Sequence, residues 1–141
     1  MKILLVDDHE MVRLGLKSYL DLQEDVEVVA ESSNGREGVE LALELRPDVI
    51  IMDIVMPEMN GIEATMAILE TWPEAKILIL TSYLDNEKIY PVLDAGAKGY
   101  MLKTSSADEI LHAVRKVARG EVAIETEVSK KVQHHRNHIE L

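Results

Sequence analysis

Ile3-Leu4-Leu5-Val6-Asp7-Asp8 opens the chain with four apolar residues running straight into two carboxylates, and Val49-Ile50-Ile51-Met52-Asp53 repeats the arrangement. Two further runs end in complementary polar groups: Ile77-Leu78-Ile79-Leu80 in Thr81-Ser82, and Gly99-Tyr100-Met101-Leu102 in Lys103. Apolar runs this short, with little polar alternation inside them, suit strands covered on both faces, the condition of a parallel sheet between two helical layers. Strands are predicted near residues 2–6, 26–30, 48–52, 76–81 and 99–102. Helices are predicted near 9–22, 35–45, 60–71, 86–95 and 106–119, with breaks at Asn34-Gly35, Arg46-Pro47, Trp72-Pro73 and Gly96. The alternation describes an α/β (βα)5 unit. Val12, Leu16, Tyr19 and Leu20 in the first helix, and Ala107, Ile110, Val114 and Val117 in the last, form apolar stripes that belong to the core.

A chain of 141 residues accommodates one domain, residues 1–120, followed by an extension, 121–141. Past Gly120 the alternation stops: Val128, Val132 and Ile139 are sparse among charges and three histidines, as in a linker or the start of a following element. No apolar run approaches the roughly 18 residues of a membrane span, and a signal peptide is not expected because the first apolar run ends at Asp7. The absence of cysteine excludes disulfides, thiolate metal sites and thiol catalysis, and suits a cytoplasmic protein. Net charge is −11, and residues 1–120 carry 12 Lys/Arg against 22 Asp/Glu, so the domain is not expected to bind nucleic acid by itself.

In an open parallel sheet, functional groups gather outside the carboxyl ends of the strands where the strand order reverses. For the order 2-1-3-4-5 that point lies between the first and third strands, which deliver Asp7, Asp8 and Asp53. Two unit charges 4 Å apart repel by about 4 kcal/mol at an effective dielectric of 20, so three carboxylates call for a cation. An all-oxygen donor set without histidine or cysteine favours a hard ion such as Mg2+. Asp8 alone could cap the helix beginning near His9, but not all three acids with Thr81 and Lys103 are explained that way.

The blocks Leu4-Leu5-Val6-Asp7-Asp8-His9, Asp53-Ile54-Val55-Met56-Pro57 with Asn60-Gly61, Leu80-Thr81-Ser82, and Ala95-Gly96-Ala97-Lys98-Gly99-Tyr100-Met101-Leu102-Lys103 resemble the receiver domain of two-component response regulators over about residues 1–120. Within that family, Asp7-Asp8-His9-Glu10-Met11-Val12-Arg13 resembles the NarL/LuxR class and, more narrowly, regulators of cell-envelope stress in Gram-positive bacteria. The resemblance implies the flavodoxin-like (CheY-like) doubly wound sheet. It also implies a signalling switch, catalysing only its own phosphorylation and dephosphorylation, that accepts a phosphoryl group on Asp53 from a sensor histidine kinase or a small donor such as acetyl phosphate. Asp8, Asp53 and the backbone carbonyl of Val55 are then the direct Mg2+ ligands, with Asp7 acting mainly through water. Lys103 pairs with the phosphoryl group, Thr81 bonds one of its oxygens, and Tyr100 is the switch aromatic. Homodimerisation on phosphorylation, and DNA binding through a helix-turn-helix output domain missing here, complete the implied picture. A stand-alone receiver acting by protein contact is the alternative.

Several residues depart from this pattern or lie outside it. Thr104 stands where many receivers have a proline after a cis peptide, and a cis bond before a non-proline residue costs about 2.5–4 kcal/mol, which leaves that isomer open. Pro91 falls inside the fourth helix and predicts a short or kinked, pliable element. Met11, Gly15, Ser18 and Leu22 make a second face on the first helix, read either as scattered apolar surface or as a dimer contact. His9 is read as a helix-start residue, and His134 and His138 as parts of a solvated linker. Val55 and Tyr83 are placed to shield the phosphoryl group from water. A haloacid-dehalogenase-type hydrolase would need an aspartate where Val55 stands, and a flavodoxin-type cofactor module would need a Ser/Thr/Gly-rich phosphate loop in place of Asp7-Asp8-His9-Glu10.

Overall fold

Each apolar run becomes a strand: β1 (Lys2–Val6), β2 (Glu27–Ser32), β3 (Val49–Met52), β4 (Ile77–Thr81) and β5 (Gly99–Leu102). Helices α1 (Glu10–Asp21), α2 (Gly35–Leu45), α3 (Gly61–Thr71), α4 (Asn86–Ala95) and α5 (Ala107–Ala118) alternate with them. This is a computed structural model; it describes residues 1–82 and 86–124, with side chains left aside at 86–89. Tyr83 and the residues named above from 125 onward lie outside the described residues.

All strand pairs are parallel, in the order β2-β1-β3-β4-β5-β6. The first five follow the predicted order. The sixth, β6 (Ala123–Ile124), was not read from the sequence: it pairs with β5 through Gly99↔Ala123 and Tyr100↔Ile124, in a stretch assigned to the extension. Its two residues are too few to carry a period, and the place is held by tertiary contact, with the Ala123 amide donating to the Lys98 carbonyl at 2.9 Å.

Alternate strand residues face opposite layers. Leu4, Val6, Ile50, Met52, Ile77, Ile79 and Tyr100 pack with Ala42, Ala64, Ile68 and Val92 of α2, α3 and α4. Ile3, Leu5, Ile51, Leu78, Leu80 and Met101 pack with Leu16 and Leu20 of α1 and Ile110, Val114 and Val117 of α5. Of the predicted helix stripes, Val12 and Tyr19 are partly buried against this second layer, and Ala107 is half-buried. Asn60 and Ser106 start α3 and α5 with reciprocal capping boxes to Glu63 and Glu109, each satisfying two otherwise orphaned groups. Helix α4 runs ten residues with Pro91 inside it, against twelve each in α1 and α5.

Candidate functional site

The sheet register brings the polar strand ends together. The Asp53 amide donates to the Val6 carbonyl at 2.9 Å and the Lys103 amide to the Thr81 carbonyl at 2.7 Å, so the ladder runs on one residue past β3 and β5 and sets Asp53 and Lys103 beside β1 and β4. The Asp7 amide donates to the Ser32 carbonyl at 3.0 Å in the same way. Arg13, from the first turns of α1, donates through Nη1 to the Asp7 carbonyl at 2.5 Å and so ties the helix to the site.

Lys103 is the centre of the cluster. Its Nζ lies 3.0 Å from Oδ2 of Asp53, 2.8 Å from Oδ2 of Asp7 and 3.0 Å from Nδ1 of His9. The contact with Asp53 is a hydrogen bond; that with Asp7 is an ion pair off the hydrogen-bonding direction. The three side chains are only 10%, 4% and 2% exposed for Lys103, Asp53 and Asp7, so their charges interact with little screening. Burial, and then the Asp7 carboxylate, push the Asp53 carboxyl above the usual aspartate range, while Lys103 and the Ile54 amide, which donates to Asp53 Oδ1 at 2.8 Å, pull the other way. Asp8 is exposed at the rim, and ligand-type oxygens of Asp7, Asp8 and Asp53 lie with a His9 ring nitrogen within 4.8 Å of one another. Three carboxylates face one ammonium.

The other predicted residues take their places around this core. Thr81 ends β4 and is buried beside the site, and Tyr100 is fully buried in β5. Val55 follows Asp53 by two residues and turns its side chain to solvent. The Lys103–Thr104 peptide, which the sequence left open, is trans, like every peptide bond among the described residues. Met11, Gly15, Ser18 and Leu22 are all exposed, Met11 and Leu22 at 79% each.

Two residues were not read as part of the site. His9 starts α1 as its cap, as predicted, yet its ring enters the carboxylate cluster. Gly61 packs the start of α3 against the backbone of Asp53: a Cβ there would stand 1.8 Å from the Asp53 carbonyl oxygen, and its amide donates to the Ile54 carbonyl at 2.7 Å. Asn60-Gly61 was visible as a motif, but only the fold reveals this close approach.

Residues 3–115 match the response regulator receiver domain. The chain belongs to that family. The receiver is 53% identical over 132 residues to the transcriptional regulatory protein LiaR of Bacillus subtilis, covering 94% of this chain and 63% of LiaR. It is 50% identical over 133 residues to the response regulator VraR of Staphylococcus aureus, covering 94% of this chain and 64% of VraR. The chain thus spans less than two thirds of the length of these relatives. Among solved structures, the receiver superposes on a LuxR-family two-component response regulator from Aurantimonas with a TM-score of 0.89 and 32% identity, over 96% of both chains. The fold is the CheY-like receiver fold, and among the described residues no helix is long and apolar enough to cross a membrane.

Proposed function

We propose that this receiver takes a phosphoryl group onto Asp53 from the phosphohistidine of a sensor histidine kinase, or from a small donor such as acetyl phosphate. One observation carries the proposal: a single ammonium, Lys103 Nζ, touches both buried carboxylates, Asp53 and Asp7, at the carboxyl end of the sheet. An Asp53 oxygen attacks phosphorus in line as the bond from phosphorus to the donor nitrogen or oxygen breaks. The attack needs the ionised carboxylate, so the upward push from burial and Asp7 must be countered, and Lys103 is the residue within reach to do it. Lys103 then pairs with the transferred group, and Thr81 donates its hydroxyl to one phosphoryl oxygen.

The donor set fits Mg2+: hard carboxylate oxygens in close array, with more negative charge than Lys103 neutralises. Asp8 and Asp53 would hold the ion directly with the Val55 carbonyl, and Asp7 through water. When bound, Mg2+ supplies charge neutralisation on the equatorial oxygens of the transferring phosphoryl group.

Phosphorylation adds about −1.5 to −2 charges at Asp53. Swinging a two-state equilibrium from 1:99 to 99:1 takes about 5.5 kcal/mol of differential contact, which Thr81, Lys103 and the neighbouring Tyr100 are placed to collect. The output is homodimerisation through the exposed α1 face of Met11, Gly15, Ser18 and Leu22. It is followed by control of a C-terminal helix-turn-helix domain, outside this chain, that binds DNA and regulates cell-envelope stress genes in the cytoplasm. The greater length of LiaR and VraR supports a longer native protein. A stand-alone receiver working by protein contact is the second reading.

Light scattering after size-exclusion chromatography, with and without Mg2+ and beryllofluoride, tests this. Wild type is expected to double in mass only with both additions, and Asp53→Ala and Met11→Glu not to. Binding without a mass change would remove dimerisation as the output, and no binding would remove Asp53 as phosphoacceptor.

A further inference from the structure

His9 changes the donor set of the site. It caps α1 in extended geometry, φ −90° and ψ 103°, but its side chain makes no capping bond. Nδ1 of the ring instead lies 3.0 Å from Asp7 Oδ1, 3.2 Å from Asp8 Oδ1 and 3.6 Å from Asp53 Oδ2, with Lys103 Nζ also at 3.0 Å. A neutral imidazole nitrogen either donates one proton or accepts one. It can donate to a single carboxylate or accept from the lysine, but it cannot serve both kinds of neighbour together.

A divalent ion can. Two ligand atoms at right angles, each about 2.1 Å from an octahedral ion, stand about 3.0 Å apart. The separation from Nδ1 to Oδ1 of Asp8, a direct ligand, is 3.2 Å and close to that edge length, while the backbone amide of His9, donating to Asp7 Oδ1 at 2.8 Å, keeps the residue in register with the cluster. The side chain is 55% exposed, so an ion reaches the ring from solvent.

We propose that Nδ1 of His9 is a protein ligand of the divalent centre, making it a mixed nitrogen and oxygen site that takes Mn2+ and Co2+ and holds Co2+ more tightly than Mg2+. This rests on the carboxylate cluster being a metal centre. Imidazole adds little for Mg2+, which prefers oxygen, and adds more along the series from Mn2+ to Co2+.

Calorimetric titration of the whole chain with Mg2+ and Co2+ is made on wild type and His9→Gln. Both carry His134→Ala, His135→Ala and His138→Ala to keep the other imidazoles near the C-terminus out of the count, and amide spectra check the fold. Co2+ is expected to bind at least about tenfold tighter than Mg2+. In His9→Gln, Co2+ affinity should fall about tenfold or more while Mg2+ affinity changes by less than about threefold. Pulsed EPR of bound Mn2+ on the same wild-type background should show the nitrogen modulation of a coordinated imidazole. Mn2+ bound without that modulation, or an unchanged Co2+ affinity in His9→Gln, overturns the ligand role and leaves the oxygen centre standing. Failure of all three ions to bind overturns both.

Discussion

Replacing Lys103 by methionine keeps most of the side chain's length and apolar stem and removes only the ammonium. That ammonium is 2.8 Å from Asp7 and 3.0 Å from Asp53, whose side chains are 2% and 4% exposed, so the variant leaves two buried carboxylates facing each other with no cation between them. Breaking a buried pair by removing one partner costs about 3–5 kcal/mol, a large part of a typical folding free energy of about 5–15 kcal/mol. For a domain of this size that corresponds to a fall of about 10–15 °C in Tm. The loss has a pH signature. Without Lys103 the folded-state pKa of Asp53, already raised by burial and by Asp7, rises further, so the penalty is present while Asp53 is ionised and fades as pH falls through that raised value. Urea unfolding in a metal-free buffer at pH 7.5 and pH 4.5, wild type against Lys103→Met, should therefore give a difference of several kcal/mol at the higher pH and a much smaller one at the lower. A difference below about 1 kcal/mol at pH 7.5, or an equal one at both pH values, would refute the coupling between this ammonium and the two acids.

Asp53→Asn removes a charge that burial and Asp7 both oppose, while Lys103 keeps its pair with Asp7. Because the folded pKa of Asp53 is raised, metal-free wild type loses stability as pH rises from the unfolded value through the folded one; the variant should escape that loss and melt higher at pH 7 by calorimetry. Gly61→Ala forces a Cβ to within 1.8 Å of the Asp53 carbonyl oxygen, so its melting curve should report about 2–4 kcal/mol of lost stability. Its phosphorylation by acetyl phosphate should also slow by up to about 100-fold as the nucleophile is displaced. Helix α4, short and containing Pro91, should exchange backbone amide hydrogens faster than α5, whose Ile110, Val114 and Val117 are buried; equal protection by mass spectrometry would contradict its pliability.

The strand ends were legible because a run such as Ile50-Ile51-Met52 cannot stay solvated, and a charge placed directly after it fixes where the sheet must stop. That logic located Asp7, Asp53, Thr81 and Lys103, while the five-strand order belongs to the doubly wound sheet that the family resemblance implies. It could not reach β6, whose two residues are held by pairing with Gly99 and Tyr100 rather than by any pattern of their own. Nor could it reach the His9 ring, since being a cap is a local property while the ring's direction depends on Asp7, Asp8 and Lys103 arriving from elsewhere. The tight fit of Gly61 against Asp53 is likewise a contact between elements. Sequence spacing supplied the chemistry at each strand end; the tertiary fold decided which groups touch.

The most direct test is to expose the chain to acetyl phosphate and Mg2+, reduce with borohydride, and map the product by peptide mass spectrometry. Reduction of an aspartyl phosphate leaves homoserine in place of the acceptor. Homoserine at position 53, absent without Mg2+ and absent in Asp53→Ala, is the predicted result. Homoserine at position 7 or 8, or none anywhere while the folded protein persists, would contradict Asp53 as the phosphoacceptor.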